Sequence, residues 1–296
     1  HFLCALTFML ASVTTVSALE LGATDDANFE TVGDRSSIYD GVVTALAQDA
    51  AGFIWIGTPN GLIRFDGYQF RRYAFDPADP HSIGGNFVRV LLLGSDGKLW
   101  IGTDADGVSV HDPATGHFRR YVNDPNASDS LQSGSIRSLA EGRDKEIWIG
   151  STGGGLSRFV ASSGKFQRFD RQAGLASAPD DDRIASLHVD ATGNLWVGTW
   201  SGLSRLKHRS STFEAIYSDA TAGSLAGKTI RTIFTAKDGR LWIGTNDGEV
   251  IIMNPADAMN MANVQSRHMI GGTILSMYQP AADRVWVGHT SGIDVY

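Results

Sequence analysis

The chain has 296 residues, of which 42% are hydrophobic and 19% are charged, a balance that excludes a disordered protein and supplies a sizeable core. Its 32 acidic and 25 basic residues give a formal net charge of -7, which argues against nucleic acid as a partner. The single cysteine, Cys4, excludes an internal disulfide and a thiolate metal cluster.

The first predicted element is an uncharged stretch, residues 2–18, which ends in Val16-Ser17-Ala18. This ending fits the small-x-small pattern of signal peptidase sites, so residues 1–18 are expected to be a secretory signal peptide and 19–296 the mature domain. The chain starts at His1 without the positive charges that open such peptides, so the peptide is expected to be truncated. A membrane anchor is the alternative, although about 17 residues is the lower limit for a spanning helix.

Six tryptophans recur along the rest of the chain at intervals of 44 to 48 residues. They are Trp55, Trp100, Trp148, Trp196, Trp242 and Trp286. Each stands in a Leu/Ile/Val-Trp-Ile/Val-Gly-Thr/Ser motif, except that the last copy ends in His289. A period of about 40–50 residues without helical periodicity predicts a β-propeller.

Each unit is predicted to contain four short strands joined by glycine-containing turns. In the first unit the predicted strands are residues 43–48, 53–58, 62–66 and 69–75. Both faces of such a sheet carry bulky apolar residues, so each sheet must stack on its neighbours around an axis. The predicted fold is an all-β propeller of four-stranded antiparallel blades, with six repeats visible.

The two ends of the mature domain are expected to close the ring. Residues 28–32 align with the outermost strand of a unit but have no inner strands before them, and residues 293–296 follow a third strand. The N-terminal strand is therefore expected to complete the last blade and cover its edge.

The run from Leu46 to Gly67, LAQDAAGFIWIGTPNGLIRFDG, resembles the two-component regulator propeller repeat, and its pattern recurs in all six units over residues 29–296. The resemblance implies the periplasmic sensor propeller of a bacterial hybrid histidine kinase or diguanylate cyclase. It also implies a ring of seven blades, a further C-terminal part that spans the membrane, and no catalysis within this segment.

The partners implied are a small-molecule ligand, such as an oligosaccharide or another anionic nutrient, and a second copy of the chain in a homodimer. Two other classes remain open: a propeller that presents a protein-binding face, and a propeller enzyme. Residues 190–196 resemble the docking motif of quinoproteins, and residues 95–100 resemble the Asp box of sialidases. His289 is the candidate base of a streptogramin lyase-like enzyme.

The candidate ligand-binding residues fall into two groups, on the first strands and in the turns after the tryptophan motif. The first group is Arg89, Arg137 and Arg231 at equivalent positions, with Arg183 offset by one residue. Their guanidinium groups can bind carboxylate or sulfate, or instead pair with an aspartate and tie down a loop. The second group is Asn60, Asp104, Trp200, Asn246 and His289.

Trp200 is the one tryptophan off the repeat position, and its ring is expected either to stack on a sugar or to pack on a neighbouring loop. No metal site is predicted, because the eight histidines lack ligand spacing. The run Asp180-Asp181-Asp182 is interpreted as a solvated loop rather than a calcium site. No cofactor is expected.

Overall fold

The computed structural model describes residues 32–33, 38, 41–169, 178–216, 225–258, 264–281 and 283–296. Within these residues the regular structure is almost entirely β strand, with one short 3₁₀ helix at Pro255–Asp257. No helix in this part of the chain has the length and apolar character needed to cross a membrane.

The strands form six antiparallel sheets, numbered as blades in chain order. Blades 1 to 3 consist of β1 (Ala45–Gln48), β2 (Ile54–Thr58), β3 (Gly61–Phe65) and β4 (Phe70–Tyr73); β5 (Val88–Leu93), β6 (Leu99–Thr103), β7 (Val108–His111) and β8 (Phe118–Tyr121); β9 (Ile136–Glu141), β10 (Ile147–Ser151), β11 (Leu156–Val160) and β12 (Lys165–Phe169). Blades 4 to 6 consist of β13 (Ile184–Val189), β14 (Leu195–Thr199), β15 (Leu203–Leu206) and β16 (Phe213–Ile216); β17 (Ile230–Thr235), β18 (Leu241–Thr245), β19 (Glu249–Met253) and β20 (Val264–Met269); β21 (Ile274–Ala281), β22 (Arg284–His289) and β23 (Gly292–Val295).

The blades stand in a ring, with the first strand of each blade innermost around a central channel. The six-bladed all-β architecture predicted from the tryptophan spacing is confirmed. Blade 6 has three strands among the described residues. The predicted closing strand, residues 28–32, and the signal peptide, residues 1–18, lie outside the described residues except for Val32, so both stay predictions. The seventh blade implied by the resemblance also stays a prediction.

Each interface between consecutive blades is filled by a tryptophan of the repeat. Trp55, Trp100, Trp148, Trp196 and Trp242 are each at most 4% exposed, and each belongs to a separate buried cluster. Fully burying such a ring removes a large apolar area from water, about 150–250 Å² for an aromatic side chain. The repeated tryptophan therefore holds one blade against the next.

The glycine two residues after each tryptophan allows the next blade to approach closely. A Cβ at Gly102 would lie 2.6 Å from Ile136 Cγ2, and one at Gly150 would lie 2.5 Å from Ile184 Cγ2. Both distances are below 3.0 Å, which is closer than Cβ atoms approach other heavy atoms in proteins. The interface therefore admits glycine alone at these positions, because any side chain would push the innermost strands apart.

Two arginines on outer strands hold the connections that enter their blades. Arg120 of β8 donates from Nε to Ser82 O at 2.9 Å and from Nη2 to Asp79 O at 2.6 Å. Arg168 of β12 donates from Nε to Ser130 O at 2.9 Å and from Nη2 to Ala127 O at 2.8 Å. These bonds satisfy backbone carbonyls in loops that have no ladder partner.

Candidate ligand-binding site

One residue from each blade lines a cavity of ≈ 380 Å³ at the central channel, and Trp200 completes the lining. The six lining residues occupy the same position in their blades. In each blade the innermost strand has one residue that pairs with the glycine of the tryptophan motif, and the lining residue comes immediately before it. They are Thr44, Arg89, Arg137, Ala185, Arg231 and Leu275, called the channel ring below.

A β-bulge aims the channel-ring side chains inward. In β5, Val88 and Val90 pair with consecutive residues of β6, which leaves Arg89 as the extra residue. The same shift occurs around Arg231 in β17. A bulge bends its strand and redirects one side chain out of the alternating pattern. The arginines therefore project toward the axis, and Arg89, Arg137 and Arg231 line one cavity. That they bind a ligand there stays a prediction.

The channel ring has more positive than negative charge. Arg89 Nε lies 2.8 Å from Asp104 Oδ1, and Arg137 Nη2 lies 3.4 Å from the same oxygen. Arg137 also donates from Nε to Thr152 Oγ1 at 3.0 Å. In the described part of the chain, Arg231 has neither an ion pair nor a hydrogen-bond acceptor for its guanidinium group. The cavity thus holds three cations, and the carboxylate beside it, that of Asp104, pairs with only two of them.

The pKa of Arg137 is lowered, first by burial and then by the positive charges of Arg89 and Arg231, although Asp104 acts in the opposite direction. Like charges held together raise the free energy of the empty site, and a bound anion relieves that repulsion. The geometry of the ring therefore favours an anionic ligand that reaches more than one guanidinium group.

Arg183 occupies a different place, at the rim beside Trp200. Its Nε donates to Asp181 Oδ1 at 2.9 Å, and its guanidinium carbon lies 5.2 Å from the centre of the Trp200 ring. Burial acts to raise the pKa of Asp181, but hydrogen bonds from Arg183 and Ser201 outweigh it and lower the pKa to about 2. The charge of Arg183 is thus neutralised by an aspartate of its own connection, and its role is to hold the loop that supports Trp200.

Of the candidates from the turns, Trp200 alone lines the cavity; Asp104 contacts it through Arg89 and Arg137, and Asn60, Asn246 and His289 lie elsewhere. Pro59 occupies the first position of the turn in blade 1, and Asn60 is the second residue of that turn. The backbone carbonyl of Asn60 accepts a hydrogen bond from Arg72 Nε at 2.9 Å. Asn246 is at the first position, where its backbone N–H donates to Thr229 O, and its side chain is exposed. Neither lines the channel cavity.

His289 is placed inside blade 6 rather than on an open face. It stands where the other blades have a Thr or Ser whose hydroxyl binds the following turn, as Thr103 Oγ1 donates to Gly107 O at 2.9 Å. The His289 side chain is 8% exposed, and its Nδ1 accepts from Ser291 N at 3.3 Å. This position gives His289 a contact within the turn, and its Nε2 lies 3.6 Å from Asp294 Oδ2. The general-base role weighed from the sequence stays a prediction.

Alignment of the first strands on the tryptophan-motif glycine would have found the three remaining members of the channel ring. Thr44, Ala185 and Leu275 occupy the arginine position in blades 1, 4 and 6. The candidates predicted on the first strands were all arginines, so these small and apolar residues were not among them. Leu275 and Thr44 come from blades 6 and 1, whereas Ala185 of blade 4 stands between Arg137 of blade 3 and Arg231 of blade 5.

The family pattern described as "Two component regulator propeller" matches residues 40–60, 82–105, 130–153, 178–201 and 224–247. Each match contains the innermost strand or the tryptophan motif of one of blades 1 to 5. The chain contains five copies of the two component regulator propeller repeat. The resemblance stated from the sequence is therefore confirmed.

Two similar solved structures are extracellular domains from B. thetaiotaomicron. The first is BT3049, assigned to a hybrid two component system, with 21% identity and a TM-score of 0.74 over 90% of this chain and 35% of that one. The second is BT4673, also assigned to a hybrid system, with 23% identity and a TM-score of 0.72 over 90% and 37%. The chain thus spans about a third of their length, and the likeness shows the fold.

Virginiamycin B lyase from Staphylococcus aureus is also similar, with 14% identity and a TM-score of 0.62 over 88% of this chain and 85% of that one. At this identity the similarity shows a common propeller fold and nothing of its chemistry. No curated protein matches the chain in sequence. The described residues contain no group of three or more His, Cys, Asp or Glu side chains arranged to hold a metal ion.

Proposed function

We propose that this propeller is the extracytoplasmic ligand-sensing part of a bacterial membrane-bound signalling receptor, and that it senses a small anionic molecule at the channel ring. The match to the repeat supports the sensor role. Three arginines line the cavity and only two of them pair with an aspartate, and this excess of positive charge carries the proposal for an anion.

The arginines come from blades 2, 3 and 5, so an anion bound among them would connect blade 5 to two blades that are not its neighbours in the ring. A ligand that binds the folded ring and not the unfolded chain stabilises the ring, and the stabilisation grows with the logarithm of ligand concentration above Kd. In this proposal the ligand shifts the packing of the propeller against a second copy or a following domain. A membrane helix outside this segment then passes the shift to a kinase or a diguanylate cyclase.

Trp200 gives the proposed ligand a second feature besides charge. Its ring is 43% exposed and forms part of the cavity lining beside the arginines. A flat aromatic surface next to guanidinium groups favours a ligand that combines a ring with an acidic group. Acidic oligosaccharides, which have carboxylate or sulfate on a sugar ring, are therefore the ligand class that we place first.

The proposal is tested by isothermal titration calorimetry and thermal unfolding with three probes: sulfate, succinate and a sulfated disaccharide. We expect at least one probe to bind and raise Tm, and the double variant Arg137→Gln/Arg231→Gln to bind at least about tenfold more weakly. Arg119→Gln is the matched control, because Arg119 is an exposed arginine on β8 away from the channel. Equal affinity in the double variant and the wild type would contradict the proposed site.

A further inference from the structure

A second cavity, of ≈ 400 Å³, lies at the junction of blades 1 and 2, away from the channel ring. Its walls are mainly aromatic and aliphatic, with two arginines, a histidine and one aspartate, Asp49, among them. The Asp49 carboxylate accepts hydrogen bonds from Trp55 Nε1 and from the backbone N–H groups of Ala51 and Phe53. The residues that matter for its chemistry are Phe53, Trp55, Arg64, Arg71, Tyr73 and His111. We call it the blade 1–2 cavity.

The two arginines of this cavity face each other without an acid between them. Arg64 of β3 is paired directly with Arg71 of β4 in the antiparallel ladder. Blades 3 and 4 have an arginine at the position of Arg64, but there Arg158 is opposite Gln167 and Arg205 is opposite Glu214. Arg158 Nη2 donates to Gln167 Oε1 at 2.5 Å, and Arg205 Nη2 lies 2.7 Å from Glu214 Oε2. Blade 1 thus has a second cation where its sister blades have the acceptor.

Arg64 has no hydrogen-bond acceptor in the part of the chain that the structure describes, and its Nε is buried. Its guanidinium carbon stacks 4.3 Å from the centre of the Phe53 ring, and that of Arg71 lies 5.0 Å from the centre of the Tyr73 ring. Like charges directly opposite in a sheet destabilise it, and a buried donor without an acceptor costs free energy. Both costs disappear when an anion lies between the two guanidinium groups.

His111 is the second departure from the repeat in this cavity. It ends β7 opposite Leu99, a position that is Phe65, Phe159, Leu206 and Met253 in blades 1, 3, 4 and 5. The side chain is 7% exposed, lines the cavity and has no hydrogen bond within the described residues. Burial, and then the charge of Arg64, lower the pKa of His111, so the imidazole is neutral near pH 7. A neutral imidazole offers one donor and one acceptor to a ligand.

We propose that the blade 1–2 cavity binds a small aromatic carboxylate, with the carboxylate between Arg64 and Arg71, the ring against the aromatic walls, and a ring hydroxyl hydrogen-bonded to His111. Bidentate pairing with guanidinium explains the two arginines, since carboxylate matches their planar geometry. The apolar walls explain the ring, because the cavity buries a flat apolar body beside the charged pair. This site is independent of the channel ring.

The test measures 4-hydroxybenzoate binding by isothermal titration calorimetry, with 4-hydroxybenzamide as the uncharged analogue. We expect the benzoate to bind at least about tenfold more tightly than the amide. Arg71→Glu places in blade 1 the ion pair that Arg205 and Glu214 form in blade 4, so it should abolish binding while raising Tm. A loss of binding in a more stable protein cannot come from misfolding.

Three further variants locate the site. Arg64→Gln and His111→Phe, which restores the residue of blades 1 and 3, should each weaken 4-hydroxybenzoate binding. Arg158→Gln is the matched control in blade 3 and should leave it unchanged. The channel-ring variant Arg137→Gln/Arg231→Gln should also keep wild-type affinity, which separates this inference from the proposed function. No binding by the wild type, equal affinity for the amide, or retained affinity in Arg71→Glu would overturn the proposal.

Discussion

The tryptophans of the repeat differ in what their indole N–H groups bind. Trp55 and Trp196 each donate to an aspartate six residues earlier, Asp49 and Asp190, at 2.8 Å. Burial acts to raise the pKa of Asp190, but hydrogen bonds from Thr192, Trp196 and Asn194 outweigh it and lower the pKa. The carboxylate is therefore ionised and joins the turn to the buried ring. This network is structural, and it explains why residues 190–196 resemble a docking motif.

Trp242 in blade 5 lacks this partner. Its Nε1 is buried and without an acceptor among the described residues, because Ala236 stands six residues earlier where blades 1 and 4 have aspartate. The backbone of the turn is the same: Ala236 N donates to Arg240 O at 2.9 Å, as Asp190 N donates to Asn194 O at 3.0 Å. Because the backbone of the two turns matches, an aspartate at position 236 is expected to place its carboxylate near Trp242 Nε1, as Asp190 does for Trp196.

Ala236→Asp is therefore expected to raise the free energy of unfolding by about 1 kcal/mol, because it supplies a charge-assisted acceptor to a buried N–H. Urea unfolding monitored by tryptophan fluorescence measures the change. Asp190→Ala is the reverse control, and should lower the free energy of unfolding by about 2 kcal/mol or more, since it leaves Trp196 Nε1 unpaired. A neutral or destabilising effect of Ala236→Asp would show that the cost of burying the carboxylate exceeds the gain.

At the scale of strands, the sequence predicted the features that follow from period and alternation. The tryptophan spacing determined the number of blades, and the arginines at equivalent positions of β5, β9 and β17 line one cavity. Pairing across strands was not visible, because the sequence does not show which residue of β4 faces Arg64. Asn60 was grouped with Asp104 and Asn246, although those two residues stand first in their turns. In blade 1 the first position is Pro59, so Asn60 stands one residue further along the turn.

The interface between the innermost strands of blades 4 and 5 contains a partly buried histidine. His188 Nε2 and Thr235 Oγ1 are 2.6 Å apart, and burial lowers the pKa of His188 to about 4, although Asp190 acts to raise it. In the unfolded chain the same group has a pKa of about 6.5. At a pH between about 4 and about 6.5, His188 is therefore protonated in the unfolded chain and neutral in the folded protein.

His188 is expected to make the propeller less stable as the pH falls from about 6.5 to about 4, by up to about 3 kcal/mol. His188→Leu, which copies Leu92 of blade 2, should remove this part of the pH dependence. The measurement is the free energy of unfolding in urea for both proteins at pH 7 and pH 4.5. Identical pH dependence in the two proteins would mean that His188 is not held neutral by burial.

On the scale of the whole molecule, the positive channel ring is set in a chain with a formal net charge of -7. Attraction of an anion to the propeller therefore comes from the local arrangement of arginines and not from the overall charge. The repeat supplies six equivalent positions, and the ring differs from blade to blade only in the residue placed there. This explains how a symmetric scaffold can bind an asymmetric ligand.

The most direct test of the central claim, that the channel ring is an anion site, is a crystal structure with selenate, whose selenium marks a sulfate-like anion by anomalous scattering. We predict an anomalous difference peak within hydrogen-bonding distance, about 3 Å, of the guanidinium groups of Arg137 and Arg231. The peak should be absent in Arg137→Gln/Arg231→Gln. Selenate bound only at other arginines, with none in the channel ring of the wild-type protein, would contradict the account.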